Sequence, residues 1–300
     1  MHRIYIGLVL PLSLSAAEPS LDFQLVAERP KLQSSAVTEA SGVAISSANP
    51  GFMWIVNDSG NTPDIYLAGT DGTDRGKVTL AGTRNIDWED LASFTLDGQN
   101  YLLVADTGDN NSKRESCTLH ILREPALPAG GQNLSGTVLP AWQIQFFYEG
   151  GPRDCESVAV DTKAGSIILI SKRTDPPEVY QLPLRPTGKS GLLTARKIGP
   201  TEVKCPLGSL IPFHNQPTGL DITADNTLAA VLTYYGVFLF PRKPEERWAD
   251  AFAKPPTALA PHLLGQAESV AFSKDGRSIY VLSEGRGSPV VRYQIRAVVH

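Results

Sequence analysis

Three glutamates, Glu89, Glu156 and Glu268, hold the same place in three copies of one short phrase. The copies read WEDLA at 88–92, CESVA at 155–159 and AESVA at 267–271. Two further copies, ASGVA at 40–44 and PTGLD at 217–221, carry Ser41 and Thr218 there. A second set follows at Asp58, Asp106, Lys172, Tyr234 and Glu284, separated from the first by 17, 17, 16, 16 and 16 residues. Carboxylates gathered near one axis repel one another by several kcal/mol when partly desolvated, so they need a cation, shared protons or nearby bases. A hard cation with oxygen ligands answers that need, and Ca²⁺ is the leading candidate outside the cell. Glu89, Glu156, Glu268, Asp58 and Asp106 are the candidate metal ligands. The bland alternative is that some of them are solvated or bond backbone N–H groups at strand starts.

The same phrases bring basic and polar groups with them. Lys172 and Arg173 stand together in ISKRT, and with Tyr234 and Glu284 they form a candidate substrate-binding set. Lys and Arg beside carboxylates could grip an anionic ligand, or could simply pair with those acids. Arg153, Arg286 and His214 lie close to the phrases. The loops VNDSGN at 56–61 and VADTGDNN at 104–111 align, with Asp and Asn able either to ligate or to cap their own turns. No GxSxG elbow, HExxH helix, phosphate-binding glycine loop or CxxC pair occurs.

Such residues need a scaffold that repeats. Each phrase opens a short strand, a turn signal follows (NPG, LDGQ, TKAG, ADN or KDG), and a second strand ends in polar residues. In a hairpin, the start of the first strand and the end of the second share one end, so both polar sets belong on one face. Further short strands complete each repeat, which is the pattern of a β-propeller. The expectation is an all-β propeller with five blades of four antiparallel strands. Intervals between phrases of 48, 67, 62 and 50 residues keep six blades open. The last repeat has only three strands, so LDFQLVAE at 21–28 is expected to supply the fourth and close the ring.

Composition narrows the function classes. The 300 residues are 42% hydrophobic and 19% charged with a net charge of −4, which argues against nucleic-acid binding or a basic membrane patch. Twenty-six Gly and 23 Pro suit many turns. The N-terminus has Arg3, an apolar run from Ile4 to about Leu14, then small residues, the pattern of a cleaved export signal over residues 1–17. Residues 18–300 are expected to form one domain, periplasmic or extracellular, monomeric and without a membrane span after cleavage. Three cysteines, Cys117, Cys155 and Cys205, have no metal-ligand spacing and are expected to be small buried residues with at most one disulfide.

The segments NIDWEDLASF, YLLVADTGDNN, RDCESVAVD, ILISKR, PTGLDITAD, VLTYYGVFLF and AESVAFSKDGRSIYVLSEG resemble a group of exported bacterial propellers, mostly uncharacterised. More distantly the chain is similar to calcium-dependent β-propeller phytases and phytase-like esterases. That resemblance implies calcium at Glu89, Glu156 and Glu268 and hydrolysis of a small anionic phosphoester. A calcium-dependent lactonase is the related enzymatic alternative. The non-catalytic alternative is a binding module with a structural channel ion and a cell-surface or periplasmic ligand.

Overall fold

Strands form here because apolar residues run almost without interruption through segments of five to nine residues, each bounded by turn chemistry. The structure, a computed structural model, describes residues 22–127, 129–186, 191–205 and 213–296. The expected export segment lies outside the described residues. In chain order, β1 (Phe23–Leu25) precedes β2 (Ala40–Ile45), β3 (Phe52–Asn57), β4 (Asp64–Gly69) and β5 (Asp74–Leu80). Next come β6 (Trp88–Leu96), β7 (Gln99–Asp106), β8 (Cys117–Arg123), β9 (Thr137–Val138) and β10 (Trp142–Tyr148). Then follow β11 (Cys155–Asp161), β12 (Ser166–Ser171), β13 (Glu178–Pro183) and β14 (Leu193–Pro200). The chain continues through β15 (Pro217–Ile222), β16 (Leu228–Thr233), β17 (Val237–Pro241), a short helix α1 (Trp248–Phe252) and β18 (Thr257–Ala258). It ends on β19 (Ala267–Phe272), β20 (Ser278–Ser283) and β21 (Val291–Ile295).

These strands form four-stranded antiparallel units, each led by one of the phrases: β2–β5, β6–β8 with β10, β11–β14, β15–β18, and β19–β21 with β1. The leading strands β2, β6, β11, β15 and β19 touch one another in that order, and β19 touches β2 again. The ring of a propeller is therefore closed. β1 pairs antiparallel with β21, Phe23 opposite Ile295, so the N-terminal strand completes the last blade. Two links were not foreseen. β10 pairs in parallel with β14, joining the second and third blades at their outer edges, and β9 adds to β5.

The continuous apolar runs have a packing reason. A blade is covered on both faces by its neighbours, so both alternating sets of side chains face protein. Val43 and Ile45 pack toward the last blade with Ala271 and Leu282, whereas Ala44 packs toward the second with Trp88 and Leu91. Five such apolar clusters lie between successive blades. Each fully buried Leu, Ile or Val contributes roughly 1.5–3 kcal/mol of transfer free energy. Among the described residues no helix is long and apolar enough to cross a membrane. Cys117, Cys155 and Cys205 are all free and buried, so no disulfide forms.

Candidate functional site

Each leading strand carries a register shift at its phrase: between Ala40 and Gly42, Trp88 and Asp90, Cys155 and Val158, Pro217 and Gly219, and Ala267 and Ser269. A β-bulge re-aims the extra residue out of the pleat. It falls on the second residue of the phrase, which is how Ser41, Glu89, Glu156, Thr218 and Glu268 reach one end of the ring. Ser41 Oγ donates to the Trp88 carbonyl at 2.7 Å, and Thr218 Oγ1 to the Ala267 carbonyl at 2.8 Å. These two lock neighbouring blades together. The glutamate side chains are longer, and their carboxyls remain at the mouth.

Glu89 is the centre of the acidic face. It is 3% exposed and belongs to two carboxylate groupings, one with Asp58 and Asp87 and one with Asp154 and Glu156. Within each grouping one oxygen from every residue lies within 4.8 Å of the others. Burial pushes the Glu89 carboxyl well above its usual range, and the fields of Glu156, Asp58, Asp87 and Glu268 add to it. Burial and Asp58 raise Asp87 to about 7. Gly108 backs this spot: a Cβ there would fall 2.2 Å from Glu89 Oε1 and 2.5 Å from Asp87 Oδ2. Any larger residue there would push both carboxyls aside.

Glu156 is tied on one side and open on the other. Its Oε1 accepts from the Lys172 ammonium, while its buried Oε2 has no hydrogen-bond partner. Burial raises Glu156 to about 7 although Lys172 opposes it. Lys172 also donates to Tyr234 Oη at 2.9 Å, and Tyr234 Oη donates to Glu268 Oε1 at 2.9 Å. Burial would lower Lys172, but Glu156 and Tyr234 outweigh it and hold the ammonium above its usual range. Burial and the fields of Glu156 and Glu284 raise Glu268 to about 9. Glu268 thus sits in a Lys–Tyr–Glu chain beside the carboxylate groupings and in neither of them. Glu284 is half-buried, and its N–H bonds the Gln266 carbonyl at 3.0 Å.

Asp106 lies one step deeper than its expected equivalents. Trp88 pairs with Asp106, whereas Ala40, Cys155 and Ala267 pair with Asn57, Ser171 and Ser283. The structural counterpart of Asp58, Lys172 and Glu284 is therefore Thr107, whose hydroxyl donates to the Cys155 carbonyl at 2.8 Å. Asp106 is buried, pairs with Arg114 at 2.8 Å and accepts weakly from the N–H groups of Ile86 and Asp87. It stands in neither carboxylate grouping.

Arg173 Nε donates to Asp154 Oδ2 at 2.6 Å, and its guanidinium also reaches Asn110. Arg153 turns away to Glu178 at 2.7 Å and to loop carbonyls. Asn61 donates to Glu39 at 2.7 Å and to local carbonyls, the turn-capping role. Two ligand candidates, Asp87 and Asp154, were missed in the sequence. The signal was an Asp–x–Glu repeated in DWE and DCE, which places an acid two residues before Glu89 and Glu156.

Asp90 closes the channel behind this face. It is fully buried, and its Oδ2 accepts from Val158 N at 2.7 Å on the next blade and Leu220 N at 3.2 Å on the blade beyond. The third phrase position elsewhere is Gly42, Ser157, Gly219 or Ser269. Small residues there let the inner strands approach and leave the axis to the one Asp.

No family profile matches the sequence, and no curated protein sequence matches it. Solved structures similar to it include the nidogen/laminin complex, at 12% identity and TM-score 0.46, covering 82% of this chain and 73% of that one. A gluconolactonase from Xanthomonas campestris aligns at 9% identity and TM-score 0.47, covering 93% of this chain and 99% of that one. The propeller assignment here rests on the closed ring of sheets itself.

Proposed function

We propose that the acidic face binds a divalent hard cation, Ca²⁺ first, and serves to hydrolyse an ester bond in a small substrate. The observation that carries this reading is Glu89, a buried carboxyl shared by two carboxylate groupings. Arg114, Lys172 and Arg173 are already paired with Asp106, Glu156 and Asp154. Asp58, Asp87 and Glu89 have no ion-pair partner among the described residues. The donor set fits a hard cation: every ligand is oxygen, Gly108 leaves the space open, and Glu156 Oε2 is buried and unsatisfied. Asp58, Asp87, Glu89, Asp154 and Glu156 would hold the ion. A cation in such a site polarises the ester and lowers the pKa of bound water.

The chain's own groups do the positioning. Lys172 and Arg173 orient Glu156 and Asp154, and Tyr234 and Glu268 form one flank of the mouth. The resemblance to exported propellers and, more distantly, to phytases supports a phosphoester substrate. The engaged state of Lys172 and Arg173 favours a second reading, a neutral carboxylic ester or lactone, since neither cation is free to clamp a phosphate. Export through residues 1–17 belongs to the same proposal, because calcium at high concentration is met outside the cytoplasm; the N-terminal sequence of secreted protein would check it.

The test is calorimetric Ca²⁺ titration of the wild type and Glu89→Gln, with turnover of a phosphate monoester, a diester and a lactone in Ca²⁺ or EDTA. Expected are saturable Ca²⁺ binding, its loss in Glu89→Gln by about tenfold or more, and turnover of one ester class abolished by EDTA. Unchanged affinity in the variant would sink the cation site. Binding without turnover of any ester would sink the hydrolase and leave a cation-rigidified binding module.

A further inference from the structure

The opposite end of the channel carries a second ring of equivalent residues. Six positions beyond Ser41, Glu89, Glu156, Thr218 and Glu268 stand Ser47, Thr95, Thr162, Ala224 and Lys274. All five line one cavity of about 290 Å³, at the small end of the roughly 300–1,000 Å³ typical of ligand sites. Four members of the ring are short, which leaves the space. The fifth is the only long and charged one. Lys274 Nζ crosses the axis from the last blade to the second and donates to the Ser93 carbonyl at 3.2 Å. An ammonium has three N–H donors, so two remain for a ligand.

We infer that this far mouth is a second ligand site, which binds a small monocarboxylate through the Lys274 ammonium. Three ring hydroxyls, Ser47, Thr95 and Thr162, make the wall polar. Asp221 also lines the cavity, but its two oxygens are committed to the N–H groups of Ile222 and Phe272 at 2.8 and 2.7 Å. Glu124 acts on Lys274 from outside the cavity wall and is held by Ser46 and by Trp54 Nε1. A single ammonium near two acids suits one negative charge better than the two of a phosphate dianion. Burial lowers the Lys274 ammonium below the usual lysine range while Asp221 and Glu124 oppose that shift, so a bound anion would replace lost hydration. Asp90, bonded to the Val158 and Leu220 N–H groups, belongs to neither this cavity's wall nor a carboxylate grouping, and the two sites share no residue.

The experiment is calorimetric titration with lactate and with inorganic phosphate, in EDTA to keep the acidic face out of the readout. Wild type, Lys274→Met and Lys274→Arg are compared. Lactate is expected to bind saturably, about tenfold or more weakly in Lys274→Met, with binding kept in Lys274→Arg. No saturable lactate heat, equal affinity in Lys274→Met, or tighter phosphate than lactate overturns the assignment. Should Lys274→Met fail to fold, peptide mapping of wild-type acylation decides. Lactate should slow modification of Lys274 and leave unchanged that of Lys254, which is half-exposed and paired with Glu246 far from this cavity's lining, and an unaltered Lys274 rate overturns the site.

Discussion

Glu268 shows how burial turns a carboxyl into a proton holder. Its folded-state pKa of about 9 exceeds the ordinary 4.5, so the folded protein holds a proton that the unfolded chain releases. The stability it contributes is complete below about pH 4.5 and is lost as pH rises toward 9. Glutamine mimics the protonated acid and titrates nowhere in that range. In EDTA, the stability of Glu268→Gln relative to wild type should therefore climb from pH 5 to pH 9, by up to about 1.4 kcal/mol per pH unit. Urea unfolding at three pH values measures it, and parallel profiles would refute the raised pKa. At this scale the sequence revealed the three glutamates but not Asp87 or Asp154. Their acidity was plain, while their convergence depends on loops that only the fold brings together.

The element that makes the site is the bulged hairpin. Regular separations of 16 or 17 residues exposed the hairpin and its shared end, because backbone geometry repeats even when side chains diverge. They did not expose the slip in the second blade, where β7 has eight residues against six in β3, β12, β16 and β20 and Asp106 falls one position inward. That slip concerns pairing partners, and a count along one chain cannot see it. The third phrase position makes a further prediction. A Cβ on Gly42 would lie 2.6 Å from Leu91 N and 2.7 Å from Asp90 C, both backbone atoms with little freedom to move. Gly42→Ala should therefore lower stability by about 2 kcal/mol, as overpacked sites do. A loss below about 0.5 kcal/mol in denaturant unfolding, the range of ordinary surface changes, would show that the inner strands can separate.

The whole molecule is a ring whose last blade is completed by the N-terminal strand. β1 is only three residues long, yet it covers the edge of β21 and buries Phe23 in the cluster between the fourth and last blades. Phe23→Ala should cost about 3 kcal/mol and leave β21 exposed to pairing with other chains. Unfolding curves together with light scattering on heating would check it, and a wild-type profile would mean that the ring closes without β1. Closure also makes two mouths from one channel. Asp90 stands between them, with acids at one end and Lys274 at the other.

The sequence by itself determined the propeller, the ring-closing role of the N-terminal strand and the identity of the residues at the phrase. Apolar runs, turns and spacing are local, and each is written along the chain. Only the tertiary structure decided which acids converge, which cations are already engaged and that the far mouth holds a cavity. Those depend on distances between blades 40 or more residues apart in the chain, set by the bulges and the closed ring rather than by any one strand.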